Sequence, residues 1–382
     1  MMINKKMPSA FAQALLEPII INNLTLPNRV IMAPMSRYKS AQGIPTSDTA
    51  QYYRRRAEGG VGLIITEGTV IGHKASYDHS DVPHMYGEAA LAGWRNVVTE
   101  VHAAGGKIFS QLWHVGGVRQ TGIPPDINVP GYAPSAIIHP GAKLQEVPYE
   151  MKTQDIRETI QAFADAALNA KRLGFDGVEI HGAHGFLIDQ FFWSYTNKRS
   201  DHYGGNVLKD RMRFATEVLQ AIRQVVGIDY PLSFRLSQWK LGAYDTRLVE
   251  TPKELEQLLY PLLLAAGVDI FHCSTRQFHQ AEFSGSKLNL AGWVKKITGK
   301  PVVTVGGVGL DSDFVSNIMS DQQSHFDLKN IKILLQRLEK QEFDFVAVGR
   351  ALLADPYWLK KIIEQRFDEI KIFTKECLQN FY

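Results

Sequence analysis

Cysteine is nearly absent: Cys273 and Cys377 are the two thiols in 382 residues. Two thiols so far apart build no disulfide framework and point to a reducing compartment. Long apolar runs are absent too. No window of about 18 apolar residues occurs, so no membrane span or membrane partner is expected. Nor is one sign of charge in excess: the formal net charge is +3 and the pI is about 8.6. Basic residues this few and scattered argue against nucleic acid as a partner. The densest basic spot, Arg54-Arg55-Arg56, is expected to be a solvated helix end. The opening "MMINKKMPSAFAQALLEPII" has lysines but no apolar run before a small-residue cleavage site, so it does not read as a signal peptide. A cytoplasmic protein is the expectation. Gly (31) and Pro (17) are close to average usage, which excludes collagen-like and low-complexity classes.

Eight short runs rich in Val, Ile and Phe have the length and composition of buried parallel strands. They are "RVIMAP" (29–34), "VGLIITEG" (61–68), "KIFSQLW" (107–113), "DGVEIH" (176–181), "PLSFRLS" (231–237), "VDIFHCS" (268–274), "PVVTVGG" (301–307) and "FDFVAVGR" (343–350). Helical patterns with cap-type starts and Gly stops lie between them. One begins at Thr153, carries Ile156, Ile160, Phe163, Ala167 and Ala170 on one stripe, and stops at Gly174. Alternation of this kind predicts an α/β fold, a closed (β/α)8 TIM barrel, as a single domain over 1–382 with its core at about 16–365. The rival, a doubly wound open sheet, would carry a G-x-G-x-x-G loop after its first strand. Here that strand ends "APMSRYKS". "PIIINNLTLPNR" is predicted to form a hairpin turned at Asn22-Asn23, placed to plug the barrel bottom. The Gly- and Pro-rich insertion Gly116–Glu150 follows strand 3 and is expected over the barrel top. The charged segment Asp311–Glu342 is expected to elaborate the outer helical ring.

Barrel chemistry sits at the carboxyl ends of strands. Those ends offer Tyr38 near strand 1, Gln111 and His114 on strand 3, His181 and His184 on strand 4, Arg235 on strand 5, and His272 and Ser274 on strand 6. After strand 7, Gly306, Gly307 and Gly309, and after strand 8, Gly349 and Arg350, join Gly-rich turns to an Arg at a helix start. Backbone N–H groups and an Arg fork in such loops suit a phosphate. Arg235, inside an apolar strand, requires an anionic or acceptor partner. With Gln111 it could read the edge of a planar ring. The histidine pair leaves three readings open: zinc ligands, a structural pair, or two imidazoles donating to one oxygen. Zinc is disfavoured, because no Glu lies between them and no third ligand is evident. Donation to a carbonyl or anionic oxygen is favoured.

The stretches "LPNRVIMAPMSRY", "GGVGLIITEGT", "KIFSQLWHVG", "APSAI", "AKRLGFDGVEIHGAHGFLIDQFF", "NKRSDHYGG" and "FDFVAVGRALLADP" resemble the Old Yellow Enzyme family of FMN-dependent ene-reductases, from about Leu16 to Lys360. The resemblance implies bound FMN, with NADH or NADPH as co-substrate. Ala33, Pro34, Met35 and Ser36 would line the flavin, Ser36 at a position that tunes its potential. Gly68 and Gln111 would contact its ring, and Arg235 the N1/C2 carbonyl side. Gly306, Gly307, Gly349 and Arg350 would hold the phosphate. His181 and His184 would be the catalytic, substrate-anchoring pair, with Tyr38 and Phe186 beside the substrate. The implied partner is a small electron-poor alkene, such as an enone, or a quinone-like acceptor; a homo-oligomer is compatible. NAD(P)H would reduce the flavin, whose N5 would then deliver hydride to the alkene β-carbon.

The sequence leaves this pattern at Phe186. The resemblance places a proton-donating Tyr there, two residues after the second histidine, and a phenyl ring has no proton to give. Water, Tyr195 or Tyr38 would have to protonate the α-carbon. The alternatives are a flavin-binding barrel with little alkene turnover, oxidase-like or ligand-binding, and a metal-dependent hydrolase. An aldolase would want a Schiff-base Lys at a strand end, which strand 6 lacks.

Overall fold

The computed structural model describes residues 10–140, 146–319 and 323–381. The first nine residues, on which part of the signal-peptide reading falls, 141–145 of the insertion, 320–322 between the last two strands and 382 lie outside the described residues.

The eight apolar runs form the eight strands. They are β1 (Val30–Met32), β2 (Leu63–Val70), β3 (Ile108–Trp113), β4 (Gly177–His181), β5 (Leu232–Ser237), β6 (Ile270–Ser274), β7 (Val302–Val305) and β8 (Phe345–Val348). They close into one barrel in the order β6-β7-β8-β1-β2-β3-β4-β5, every pairing parallel. Continuous apolar runs are required because one face meets the barrel interior and the other the surrounding helices. Helix punctuation follows the chemistry of the ends. Thr46 and Thr49 cap Ser47–Glu58 reciprocally, and Thr251 caps Pro252–Ala266. The helix Thr153–Leu173 stops at Gly174 in the left-handed region, and Ile156, Phe163, Ala167 and Ala170 of its stripe are buried.

The N-terminal hairpin pairs Ile19–Ile21 with Leu24–Leu26 and turns at Asn22, φ 51°. Its Ile21, Leu24 and Leu26 pack with Ile31, Leu63, Ile65, Phe109, Ile270, Val303, Phe345 and Ala347 in one buried cluster. The hairpin therefore plugs the barrel, as expected. The insertion over the top is organised by one buried cation. Arg119 donates to the carbonyls of Tyr77, Ile123, Asp126 and Val129 and folds the loop around itself. A short pairing of Tyr132–Ala133 with Tyr149–Glu150 completes it.

Two expectations need correction. The Arg54–Arg56 cluster is not a solvated helix end. Arg56 is fully buried, lies over the Tyr52 ring and donates to the carbonyls of Tyr52, Leu352 and Leu353. Arg54 pairs with Glu58 and Glu100. Segment 311–342 is also more than an outer elaboration. Leu328–Glu339 is a ring helix, but Ser312, Asn317 and Ser324 turn inward to Arg350.

Because the hairpin plug is apolar, truncating it opens a cavity. Leu26→Ala, at a fully buried position, is expected to cost about 2–5 kcal/mol in chemical denaturation.

Candidate active site

The site is built upward from a buried carboxylate. Glu179 lies on β4 with no exposure. It accepts from Gln111 Nε2 at 2.9 Å, Ser233 Oγ at 2.9 Å and His272 Nδ1 at 2.8 Å. Burial alone would raise its pKa; His272 and Arg235 reverse this and hold it at about 2. Arg235, the next cation up the barrel, donates to Ser274 Oγ at 3.3 Å. Burial brings its guanidinium down to about 10, opposed by Glu179. Gln111 and Arg235 thus belong to one network.

Above this floor β4 delivers the histidines. Ring centroids of His181 and His184 are 4.9 Å apart at 83°. The Ala183 N–H donates to His181 Nδ1 at 3.3 Å, which assigns the His181 proton to Nε2. His184 Nε2 lies 2.8 Å from Ser274 Oγ, which already receives Arg235. The hydroxyl and the ring share one proton in that contact; where the hydroxyl donates it, the His184 ring proton sits on Nδ1. Burial, reinforced by Arg235, lowers His181 to about 3 and His184 well below its ordinary value. Both are neutral N–H donors at physiological pH. Phe186 completes the wall edge-on, 5.1 Å from His181 and 4.9 Å from Trp113. Among the described residues no group of three His, Cys, Asp or Glu side chains is placed to hold a metal.

The flavin-lining residues predicted from sequence come to the same end of the barrel. Ala33 and Pro34 are buried at the end of β1; Met35 and Ser36 are progressively more open. Glu67, pushed up to about 7 by burial, accepts the Arg37 N–H at 2.7 Å and fixes that loop. Gly68 pairs with Gln111 across β2 and β3; a Cβ on Gly68 would meet Trp113 at 2.6 Å. Gly306 (φ 130°) and Gly307 (φ 64°) form a left-handed backbone corner. A Cβ at Gly306 would strike Thr275 O at 2.4 Å, whereas at Gly307 nothing lies nearer than 3.7 Å. Gly349 faces Met35 and Ala33.

These features fit a flavin. Arg235 Nε is buried and has no partner among the described residues, which leaves an N–H for a ligand at the ring edge. The amide of Gln111 lies beside it, and the Gly307 corner is open on the phosphate side. Arg350, at the start of the β8 helix, has partners within the chain. It donates to Asn317, Ser324 Oγ and Ser312 O and so ties the segment after β7 to the start of the β8 helix.

Tyr38, at φ 52°, is 42% exposed, packs on His79 and is pushed up to about 12 by burial and Asp78. Tyr195 is exposed and rests on Trp193. Sequence reading missed Glu179, Asp189, Trp239, Lys240 and His139 as site-building residues. A Glu inside "VEIH" was the one visible signal; His139 lies in the irregular insertion, where no period exists. His139 covers Gly185: a Cβ there would lie 2.1 Å from His139 Nε2, and the φ of 78° disfavours any side chain. Gly185→Ala is expected to destabilise by about 1–3 kcal/mol, as read by urea midpoints.

Comparison with known proteins agrees with this geometry. Residues 14–326 match the NADH:flavin oxidoreductase / NADH oxidase family. The chain is 35% identical over 362 residues to an NADH oxidase of Thermoanaerobacter brockii, covering 92% of this chain and 51% of that protein. It therefore spans about half the length of that relative. It is 32% identical to an NADPH dehydrogenase of Bacillus velezensis, over 94% of this chain and 97% of the other. A solved structure of morphinone reductase in complex with tetrahydroNAD superposes with a TM-score of 0.75 at 30% identity, over 91% of this chain and 90% of that one. The chain belongs to the NADH:flavin oxidoreductase / NADH oxidase family, whose flavin is FMN.

Proposed function

We propose that this chain is an FMN-dependent oxidoreductase that takes electrons from NADH or NADPH and reduces electron-poor alkenes such as α,β-unsaturated carbonyls. The observation that carries the reading is the pair of neutral imidazoles, His181 at the end of β4 and His184 in the turn after it, 4.9 Å apart above the Arg235–Glu179 floor. Bound FMN supplies hydride transfer between the nicotinamide and the acceptor. Gln111 and the free N–H of Arg235 hold its ring edge; Gly306, Gly307 and Gly349 present backbone to its phosphate.

The two imidazoles donate N–H hydrogen bonds to the acceptor's carbonyl oxygen. They polarise it and withdraw electron density from the β-carbon. Both rings are neutral and already aimed, so little reorganisation is needed as charge develops. Trp113 and Phe186 exclude water from one side. Phe186 donates nothing, and Tyr38 and Tyr195 are exposed at the surface, so in this reading the α-carbon takes its proton from solvent. The same Phe186 favours a second reading, an oxidase with little alkene turnover. Anaerobic NADPH or NADH titration of the yellow protein followed by 2-cyclohexen-1-one separates them: the enone restores the flavin absorbance in the first reading, and only oxygen does in the second.

Because each ring acts as a neutral donor, His181→Asn is expected to keep enone kcat/KM within about tenfold, whereas His181→Ala loses about 10²–10³. Neither ring titrates between pH 5.5 and 8, so the pH profiles of His181→Asn and the parent should run parallel there; a limb present only in the parent would contradict the neutral-donor assignment. Phe186→Tyr restores a phenol and is expected to raise enone turnover at least tenfold. Flavin reduction by NADPH should be unchanged in stopped flow.

A further inference from the structure

His184 and Gly185 are consecutive left-handed residues, φ 65° and 78°. A non-glycine residue holds that conformation only where its surroundings over-determine it. All four backbone polar groups of the turn are held. The His184 N–H donates to Ser237 Oγ at 2.9 Å, and the His184 carbonyl accepts from Leu241 N at 3.0 Å. The Gly185 N–H donates to Asp189 Oδ2 at 2.7 Å, and the Gly185 carbonyl accepts from Gln190 Nε2 at 2.8 Å. These partners come from two places: the short helix Leu187–Phe192 after β4, and the end of β5 with the loop that follows it.

One contact joins those two places. Lys240 Nζ donates to both oxygens of Asp189, at 2.7 and 2.8 Å, and neither side chain has any exposure. Lys240 also forms a backbone bridge with His184. Its neighbours complete the seat: Trp239 stacks on the His184 ring at 4.1 Å and 19°, and Leu241 supplies the N–H to the His184 carbonyl. The ion pair therefore lies behind the turn that aims His184, and one Asp189 oxygen serves both the lysine and the turn.

We infer that the Asp189–Lys240 pair positions the histidine clamp, with Lys240 fixing the Asp189 carboxylate so that it holds the Gly185 N–H and sets the direction of His184. Both are positioning residues, acting on substrate through His184. The inference rests on the oxygen-clamp reading of His181 and His184. A buried pair does not in itself stabilise a fold, because desolvation offsets the attraction; apolar replacement of both partners is often neutral, whereas removing one strands the other. Expense of this kind at the back of a strained turn calls for a role beyond stability.

Two double substitutions isolate that role in the full-length holoenzyme. Asp189→Asn/Lys240→Met removes both charges but keeps an acceptor for the Gly185 N–H. Asp189→Leu/Lys240→Met removes charges and acceptor at similar volume. Both are assayed with NADPH and 2-cyclohexen-1-one, alongside visible flavin content and thermal midpoint. The expected result is enone kcat/KM below the parent in both variants at equal flavin content: about threefold in the asparagine variant, which keeps the acceptor but loses the lysine that fixes it, and at least tenfold further in the leucine variant. Equal kcat/KM in the two, whether both high or both low, overturns the inference and leaves the pair a packing feature. Should the leucine variant not yield flavin-bound protein, Asp189→Ala/Lys240→Met takes its place under the same criterion. The clamp reading fails separately: His181→Ala with parental enone kcat/KM would sink it whatever the double variants show.

Discussion

Glu179 is the constraint from which the rest of the site is built. An ionised carboxylate at zero exposure in a barrel must be fully compensated or it will protonate. Here Gln111, Ser233 and His272 donate to it while Arg235 supplies opposite charge. That single requirement fixes four strands relative to one another. It also orients Gln111, and Arg235 keeps an Nε–H with no partner among the described residues. The same Arg235 charge then acts upward. It opposes protonation of His181 and His184, so the histidines remain neutral donors in a site that already carries a cation.

Much of this arrangement was legible in the sequence. Parallel strands buried on both faces write themselves as apolar runs, and eight such runs at regular spacing leave few topologies. The hairpin at Asn22-Asn23 was visible because its turn requires positive φ. The histidine pair, Gln111, Arg235 and the Gly306–Gly307 corner were visible because polar or glycine residues at the ends of apolar strands stand out against their context.

What escaped was whatever depends on a partner distant in sequence. Arg56 looked solvated within Arg54-Arg55-Arg56. Its burial depends on carbonyls of Leu352 and Leu353, some 296 and 297 residues away. Arg350 also donates to Ser312, Asn317 and Ser324, 38, 33 and 26 residues away, which nothing in its own neighbourhood announces. Asp189 and Lys240 look like ordinary charged residues of a helix and a loop; 51 residues separate them. Local pattern encodes which face is buried. It does not encode which buried polar group finds which partner.

Phe186 shows how packing and proton chemistry can separate at one position. Its ring meets Trp113 and His181 edge-on at 4.9 and 5.1 Å, contacts that use the ring and not a hydroxyl. An edge-to-face contact orients the imidazole and keeps water from it. Removing a phenol oxygen there leaves that wall intact and makes it less polar. Lower polarity in turn favours the uncharged imidazole. The position therefore gives up an acid while reinforcing the neutrality that the clamp requires. Under the proposed alkene reduction, a site with this composition would activate its acceptor through hydrogen bonds to oxygen and leave protonation of carbon to the solvent.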